Sequence, residues 1–258
     1  MYLNPYLKTV PAAEREAFSQ LCEQRTFRRK EVVLEAGTWV PYGVCVGSGL
    51  LRLEVQGSDG AGVTTEFLRQ HEIFWEYSER RFFYQSSVTL VAALPTHVFL
   101  VPLEALNRLV ERHPSVVRAM AAQLINHLQQ LRTQFRRVTT RSPEDVVARI
   151  LHELTELAPA GDGVYDKRIT QAVIASYAGL SREQVNKTMR ELEARGLLKR
   201  EDAGMRVPPS FGSTTPGELM DFEDTRPGQE PPAAPPMLDF PDAFGPDSGW
   251  PKPPGGKK

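Results

Sequence analysis

Residues 169–201, ITQAVIASYAGLSREQVNKTMRELEARGLLKRE, decide the fold of this chain. Ile169, Val173, Ile174 and Tyr177 recur at helical spacing, and Thr170 stands before them as the expected N-cap. Ala178-Gly179-Leu180 breaks the period, and Gly179 is free to take the positive φ of a tight turn between helices. Ser181 then caps a second helix, and Glu183 in its first turn suits the helix dipole. On that helix Val185, Met189 and Leu192 form the stripe expected to be buried, with Leu197 and Leu198 packing just past Gly196. Arg182, Glu183, Asn186, Lys187 and Arg190 fall on the other side. Two short strand-like runs follow around Asp202-Ala203-Gly204, a wing hairpin signal that carries Lys199 and Arg200. The pattern is a helix-turn-helix whose second helix offers long polar side chains to a major groove.

A charged helix face can be merely solvated. Here the short glycine turn, the exposed groups gathered in the first half of the second helix, and the wing all favour DNA. The segment GLSREQVNKTMRELEARGLL resembles the recognition-helix segment of the Crp/Fnr family, winged-helix regulators that dimerise on palindromic DNA. The resemblance extends over about residues 20 to 207. In that family the segment reads Ser-Arg-Glu-x-Val-x-Arg, and both arginines and the glutamate contact bases. Carried over by position, these are Arg182, Glu183 and Lys187. Lysine brings a point charge where the family's guanidinium would fork onto a guanine.

With 258 residues the chain has ample material for one large domain or two modest ones. Its formal charge of −1 is unevenly spread. From Pro208 onward there are eight acidic and four basic residues, against 24 acidic and 27 basic before it. A body of charge +3 thus carries a tail of −4. Thirteen of the 21 prolines lie in that tail, so 210–258 is expected to be disordered. Within it LMDFED at Leu219 and MLDFPD at Met237 repeat an acidic-aromatic pattern, read either as compositional chance or as a docking motif. Cys22 and Cys45 are too few for a four-thiolate iron–sulfur site, and Cys45 lies in an apolar strand pattern. No signal-peptide pattern opens the chain and no run of 18 apolar residues occurs in it, so a cytoplasmic, non-membrane protein is expected.

Before the helix-turn-helix, AAEREAFSQLCEQ reads as a short helix bearing Phe18, Leu21 and Cys22. VVLEAG, YGVCVGSGLLRLEVQ, GVTTEFLRQHEIF, SSVTLVAAL and HVFLVP then read as short strands with glycines at their ends. That texture predicts a small β-barrel or jelly roll, where the family carries its cyclic-nucleotide-binding fold. LEALNRLVERHP is helical, and a longer helix runs from Ser115 to about Thr139. Its apolar residues Val117, Ala121, Leu124, Leu128, Leu131, Phe135 and Val138 keep a heptad seam. Such a seam can pack on the barrel or pair with its copy, and the resemblance implies the second. Ser142 opens a further helix through DVVARILHELTELA, and Pro159 to Gly163 reads as a loop.

The family's pocket motif is Gly-Glu-Leu followed about ten residues later by Arg-Ser or Arg-Thr. Laid on this chain without gaps, the ribose-gripping carboxylate falls on Glu76, with Trp75 in place of its glycine. The phosphate arginine becomes Ser86, followed by Ser87, and the purine-reaching positions of the long helix become Leu131 and Arg132. A buried phosphate needs a cationic partner, so the pocket is degenerate and cyclic AMP is not expected to be needed. Phe74, Trp75, Tyr77, Phe82, Phe83 and Tyr84 crowd the region and read as core filling. The five histidines form no metal-ligand pairing, and no nucleophile elbow or phosphate loop occurs.

The expected architecture is α+β: a cyclic-nucleotide-binding-like β domain over 1–112, a dimerisation helix over 113–140, and a winged helix-turn-helix over 141–209. The expected function is transcription regulation by a homodimer on palindromic double-stranded DNA, with RNA polymerase as a further partner. No cofactor, metal or enzymatic activity is expected. The competing reading is a ligand-sensing or scaffold protein whose winged helix contacts protein.

Overall fold

The computed structural model describes residues 1–57, 62–76, 78, 82–140 and 142–212, with the side chains of 126, 127, 130, 131 and 133–140 excepted. The acidic, proline-rich stretch and both of its repeated motifs lie outside the described residues. Met1–Ser213 forms one compact unit.

A 3-10 turn (Pro5–Leu7) and helix α1 (Ala12–Gln20) lead into ten short strands. These are β1 (Glu23–Phe27), β2 (Val32–Leu34), β3 (Trp39–Val40), β4 (Tyr42–Ser48) and β5 (Leu51–Gln56), then β6 (Gly62–Leu68), β7 (Ile73–Phe74), β8 (Tyr84–Gln85), β9 (Thr89–Ala92) and β10 (Thr96–Pro102). They pair antiparallel in two four-stranded sheets, β1-β10-β4-β7 and β2-β9-β5-β6, with β3-β8 as a separate pair. Val44, Val46, Val98 and Leu100 of the first sheet meet Leu51, Leu53 and Leu90 of the second in one core. Phe18 of α1, and Leu106 and Leu109 of α2 (Leu103–Arg112), join that core. Each of the five strand-like runs contains strand. β1, β3 and β8 carried no alternation to read. β1 is a sheet-edge strand whose residues are exposed except for the half-buried Phe27.

Leu21 falls just past the end of α1 and stays exposed, unlike Phe18 and Cys22. Helix α1 stops at Gln20, so Leu21 and Cys22 both lie beyond it, Cys22 turned into the core and Leu21 outward. Glu66 on β6 sits opposite Leu53, whose side chain is core. Burial, and after it the Glu72 carboxylate, pushes the Glu66 carboxyl up to about 7. The folded state therefore holds this proton more tightly than the unfolded chain. The resulting stability is complete below the ordinary carboxylate range and is lost as pH rises through about 7. Glu66→Gln is expected to raise Tm at pH 8, worth on the order of 1–3 kcal/mol, and to leave Tm nearly unchanged at pH 5. Paired thermal melts at the two pH values check this.

Beyond α2 come α3 (Pro114–Thr140), α4 (Pro143–Leu157), β11 (Pro159–Gly161), β12 (Val164–Asp166), α5 (Gln171–Ala178), α6 (Arg182–Ala194), β13 (Lys199–Arg200) and β14 (Gly204–Arg206). The segment Pro159 to Gly163 is not the loop its sequence predicts. It opens a hairpin, and the sheet order β11-β12-β14-β13 ties that hairpin to the wing. Val164, Tyr165 and Asp166 are all buried, so no alternation betrays the strand, and its partner β14 lies about forty residues away. Gly204 is required there because a Cβ would run into the Tyr165 carbonyl. Gly204→Ala is expected to part β12 from β14, seen as lost amide-exchange protection across 164–166 with the barrel unaffected.

The winged helix packs directly on the barrel. Leu50, Phe67, Ala93 and Leu94 belong to a second core with Val147, Leu151, Ile174, Val185 and Leu192. The Phe67 and Tyr177 rings meet edge to face at 4.8 Å. The Thr64 amide donates to Ser176 Oγ at 2.7 Å, fastening α5 to β6.

A candidate nucleic-acid interface

Helix α6, the expected recognition helix, starts where its sequence predicts, for a reason visible in the backbone. Gly179 closes α5 in the left-handed region, at φ 65°. Ser181 is extended, its Oγ accepts the Gln184 amide at 3.2 Å, and the Gln184 side chain accepts the Ser181 amide at 3.1 Å. This capping box fixes the first turn of the helix. Thr170 occupies the corresponding position of α5 with extended backbone, but its side chain makes no cap hydrogen bond. Val185, Met189 and Leu192 are buried as the stripe requires, together with Thr188.

Arg182, Glu183, Lys187 and Arg190 are exposed and Asn186 is half-buried, all on the face away from that stripe. Glu183, Asn186, Lys187, Arg190 and Glu191 line a shallow groove of about 340 Å³. Lys187 lies 4.0 Å from Glu191, a weak, exposed helix-surface pair that leaves the ammonium available. Among the described residues no ion pair engages Arg182 or Arg190. On the wing Lys199 is equally open, whereas Arg200 is clasped by Glu193 at 2.9 and 3.3 Å. Lys167, which the sequence pattern does not distinguish from any loop lysine, donates to the Asp202 carbonyl at 2.6 Å and lies against the wing turn.

The effector side is arranged differently. Glu76 Oε2 accepts the Ser87 amide at 2.9 Å, and Glu76 Oε1 accepts the Ser87 hydroxyl. Ser86 is buried and gives its hydroxyl to the Val88 carbonyl at 2.7 Å. The donors aligned with the family's phosphate site are thus spent on this chain's own carboxylate and backbone. Arg132 is exposed on α3, and the side chain of Leu131 lies outside the described residues. The aromatics do not all fill the core. Tyr84 is buried and Phe74 half-buried, but Trp75, Phe82 and Phe83 are 38%, 49% and 37% exposed. Leucine and valine from the two sheets already occupy the interior, and Phe83 instead packs edge-on against the exposed Trp39 at 5.8 Å. Tyr77 lies outside the described residues.

On α3 the seam splits from the packing face. Val116 is buried and Met120 half-buried against the barrel core, while Val117, Ala121, Leu124 and Leu128 point outward and are exposed. Ile125, outside the heptad count, is 56% exposed beside them. The Phe135 side chain lies outside the described residues. No group of histidine, cysteine, aspartate and glutamate among the described residues is arranged to hold a metal, and no described helix is long and apolar enough to cross a membrane.

Comparison with known proteins agrees with this layout. Residues 24–113 match the cyclic nucleotide-binding domain, and residues 147–208 match the Crp-like helix-turn-helix domain. The chain is 24% identical over 200 residues to the cAMP-activated global transcriptional regulator CRP of Pasteurella multocida, covering 74% of this chain and 94% of that protein. It is 25% identical over 130 residues to a protein of Rhizobium leguminosarum bv. viciae named a probable transcriptional activator. That match spans 49% of this chain and about half, 54%, of that protein. Among solved structures, FixK2 from Bradyrhizobium japonicum superposes with a TM-score of 0.64 at 19% identity, covering 80% of this chain and 98% of that one. The c-di-GMP responsive regulator CLP of Xanthomonas campestris gives 0.62 at 19% identity, covering 76% and 99%. The two domain matches fall on the barrel and the winged helix in their expected order and together cover more than half of the sequence. The chain belongs to the Crp/Fnr family of transcription regulators.

Proposed function

We propose that this regulator works as a homodimer on palindromic double-stranded DNA and needs no cyclic AMP to do so. The observation that carries the DNA half is the open face of α6, where Arg182, Glu183, Lys187 and Arg190 stand on a helix start locked by a capping box. Two copies paired along the Val117–Leu128 face of α3 would set two such helices into successive major grooves, about 34 Å apart. Arg182 and Glu183 would read base edges, Asn186 and Lys187 their neighbours, and Arg190 the adjoining backbone. Lys199 would hold phosphate. Arg200 would hold phosphate only by leaving Glu193. The domain limits 1–112, 113–140 and 141–209 divide the chain between sensing-like barrel, pairing helix and DNA reader. DNA as ligand implies a cytoplasmic protein, and work at promoters implies RNA polymerase as its further partner. Nothing on the exposed winged-helix face favours a protein ligand over DNA.

The cyclic AMP half rests on Glu76 and Ser87. The curated relative from Pasteurella multocida is cAMP-activated by name. In this chain no arginine stands at the phosphate position, and the Ser87 donors are taken by Glu76. A cyclic nucleotide would have to displace the Glu76 carboxylate from Ser87 and bury its phosphate without the arginine that the family places at position 86, at a cost of several kcal/mol. Calorimetry of cyclic AMP and cyclic GMP against the purified protein is expected to give no saturable heat. Micromolar binding that also tightens the DNA complex would overturn this half and leave the reading of α6 standing.

A further inference from the structure

A cavity of about 360 Å³ opens where the first residues of the chain lie against the barrel, and neither Glu76 nor Ser87 lines it. Strands β4 and β10 contribute Cys45, Val46 and Phe99, and the N-terminal segment contributes Tyr2 and Leu3. The turn between β6 and β7 contributes Gln70 and His71. Asn4, buried beside them, pins the segment down. Its Nδ2 donates to the His71 carbonyl at 3.0 Å and to Cys45 Sγ at 3.3 Å, and its Oδ1 accepts the Tyr6 amide at 3.0 Å. Burial pushes the Cys45 thiol up to about 12, so it stays neutral and acts as apolar wall. Among the described residues no aspartate, glutamate, lysine or arginine lines the cavity. The polar side chains left for a ligand are Gln70 and His71. His71 adopts φ 74°, a left-handed conformation suited to glycine, and its amide donates to the Val46 carbonyl at 2.8 Å. A histidine there keeps an imidazole at the cavity against the preference of its own backbone.

We infer that this cavity is a small-molecule site for an apolar chain with one hydrogen-bonding head, the chemistry shared by medium-chain alcohols and medium-chain carboxylates. Its volume falls within the range of about 300–1,000 Å³ usual for ligand pockets, and apolar walls with a few placed polar groups are their usual make-up. Tyr2, Leu3, Val46 and Phe99 enclose the chain, and Gln70 and His71 take the head. A nucleotide does not suit it, because its phosphate would meet no lysine or arginine. The turn that carries Gln70 and His71 leaves β6, whose Thr64 and Phe67 fasten α5, so a ligand here bears on the strand that holds the winged helix. The inference stands whether or not α6 reads DNA.

The test titrates the purified protein with N-phenyl-1-naphthylamine, whose fluorescence rises in apolar surroundings, and competes the bound probe with decan-1-ol, decanoate and cyclic AMP. Saturable displacement by a decyl compound is expected, decanoate alone marking a carboxylate head and decan-1-ol an uncharged one. Cyclic AMP is expected to displace nothing. Tyr2→Ser/Leu3→Ser strips the apolar cover at two exposed positions and should weaken the probe and the decyl compounds by on the order of ten-fold. His71→Gly removes the imidazole and suits the left-handed backbone. It should weaken the decyl compounds by about five-fold and leave the probe little changed. Circular dichroism verifies both folds. The exposed leucines of α3 offer the probe another apolar surface, so equal binding by wild type and the Tyr2→Ser/Leu3→Ser variant would overturn the inference. Failure of both decyl compounds to displace the probe, displacement by cyclic AMP, or unchanged decyl affinity in His71→Gly would overturn it equally.

Discussion

Leu124→Glu combined with Leu128→Glu is expected to turn the proposed dimer into a monomer and weaken binding to a palindromic site by about 100- to 10,000-fold. Both leucines are exposed in the single chain, at 61% and 46%, on the face of α3 turned away from the barrel. Val116 and Met120 on the other face anchor the helix to the core, so the substitutions leave the monomer's packing intact. In the paired state four carboxylates would be brought together and desolvated along one seam, which disfavours association strongly. The loss in DNA affinity follows because a second half-site contact made from solution replaces one made within the dimer. Sedimentation should show a monomer, and circular dichroism an unchanged helix and strand content. A variant that stays dimeric would mean that the seam is not where copies pair.

Arg182→Ala is expected to cost about 1–3 kcal/mol per half-site in discrimination and to erase the preference for the selected sequence. Arg182 is the first residue of α6, exposed, and placed next to the capping box that sets the helix entry. Lys199→Ala is the contrasting case. It lies on the wing strand β13, and its loss should weaken all sequences about equally while lowering the salt slope by about 1. Competition binding with selected and scrambled duplexes separates the two effects. If Arg182→Ala leaves the selected consensus unchanged, the assignment of base contacts is wrong.

Features set by near neighbours are the ones a reader of this sequence can see. The Gly179 turn, the Ser181 cap and the Val185-Met189-Leu192 stripe each depend on residues within one or two helical turns, and each stands in the structure. The strands with alternating burial, such as β5 with Leu51 and Leu53 inward, are legible for the same reason. What is hidden depends on distant partners. The β11–β12 hairpin exists because β14 completes its sheet, and β12 is buried along its whole length. Ser176 looks like an ordinary helix residue until its hydroxyl meets the Thr64 amide, 112 positions away. The heptad seam of α3 can be counted along the chain, yet only Val116 and Met120 against the barrel tell which side is already used. At the effector side, the sequence itself shows Ser86 where the resemblance puts the phosphate arginine. That Glu76 takes up the Ser87 donors is a matter of three-dimensional placement. The surface position of Trp75, Phe82 and Phe83 runs against composition, because hydrophobic size alone does not say which residues the interior has room for.

Selection of binding sites from randomised duplex DNA by the purified protein, with no nucleotide added, tests the central claim most directly. The expected product is a palindrome whose half-sites are centred about 10–11 base pairs apart, enriched equally with and without cyclic AMP. Loss of that consensus with Arg182→Ala would place its reading on α6. Failure to enrich any sequence, or enrichment only when cyclic AMP is supplied, would contradict the account.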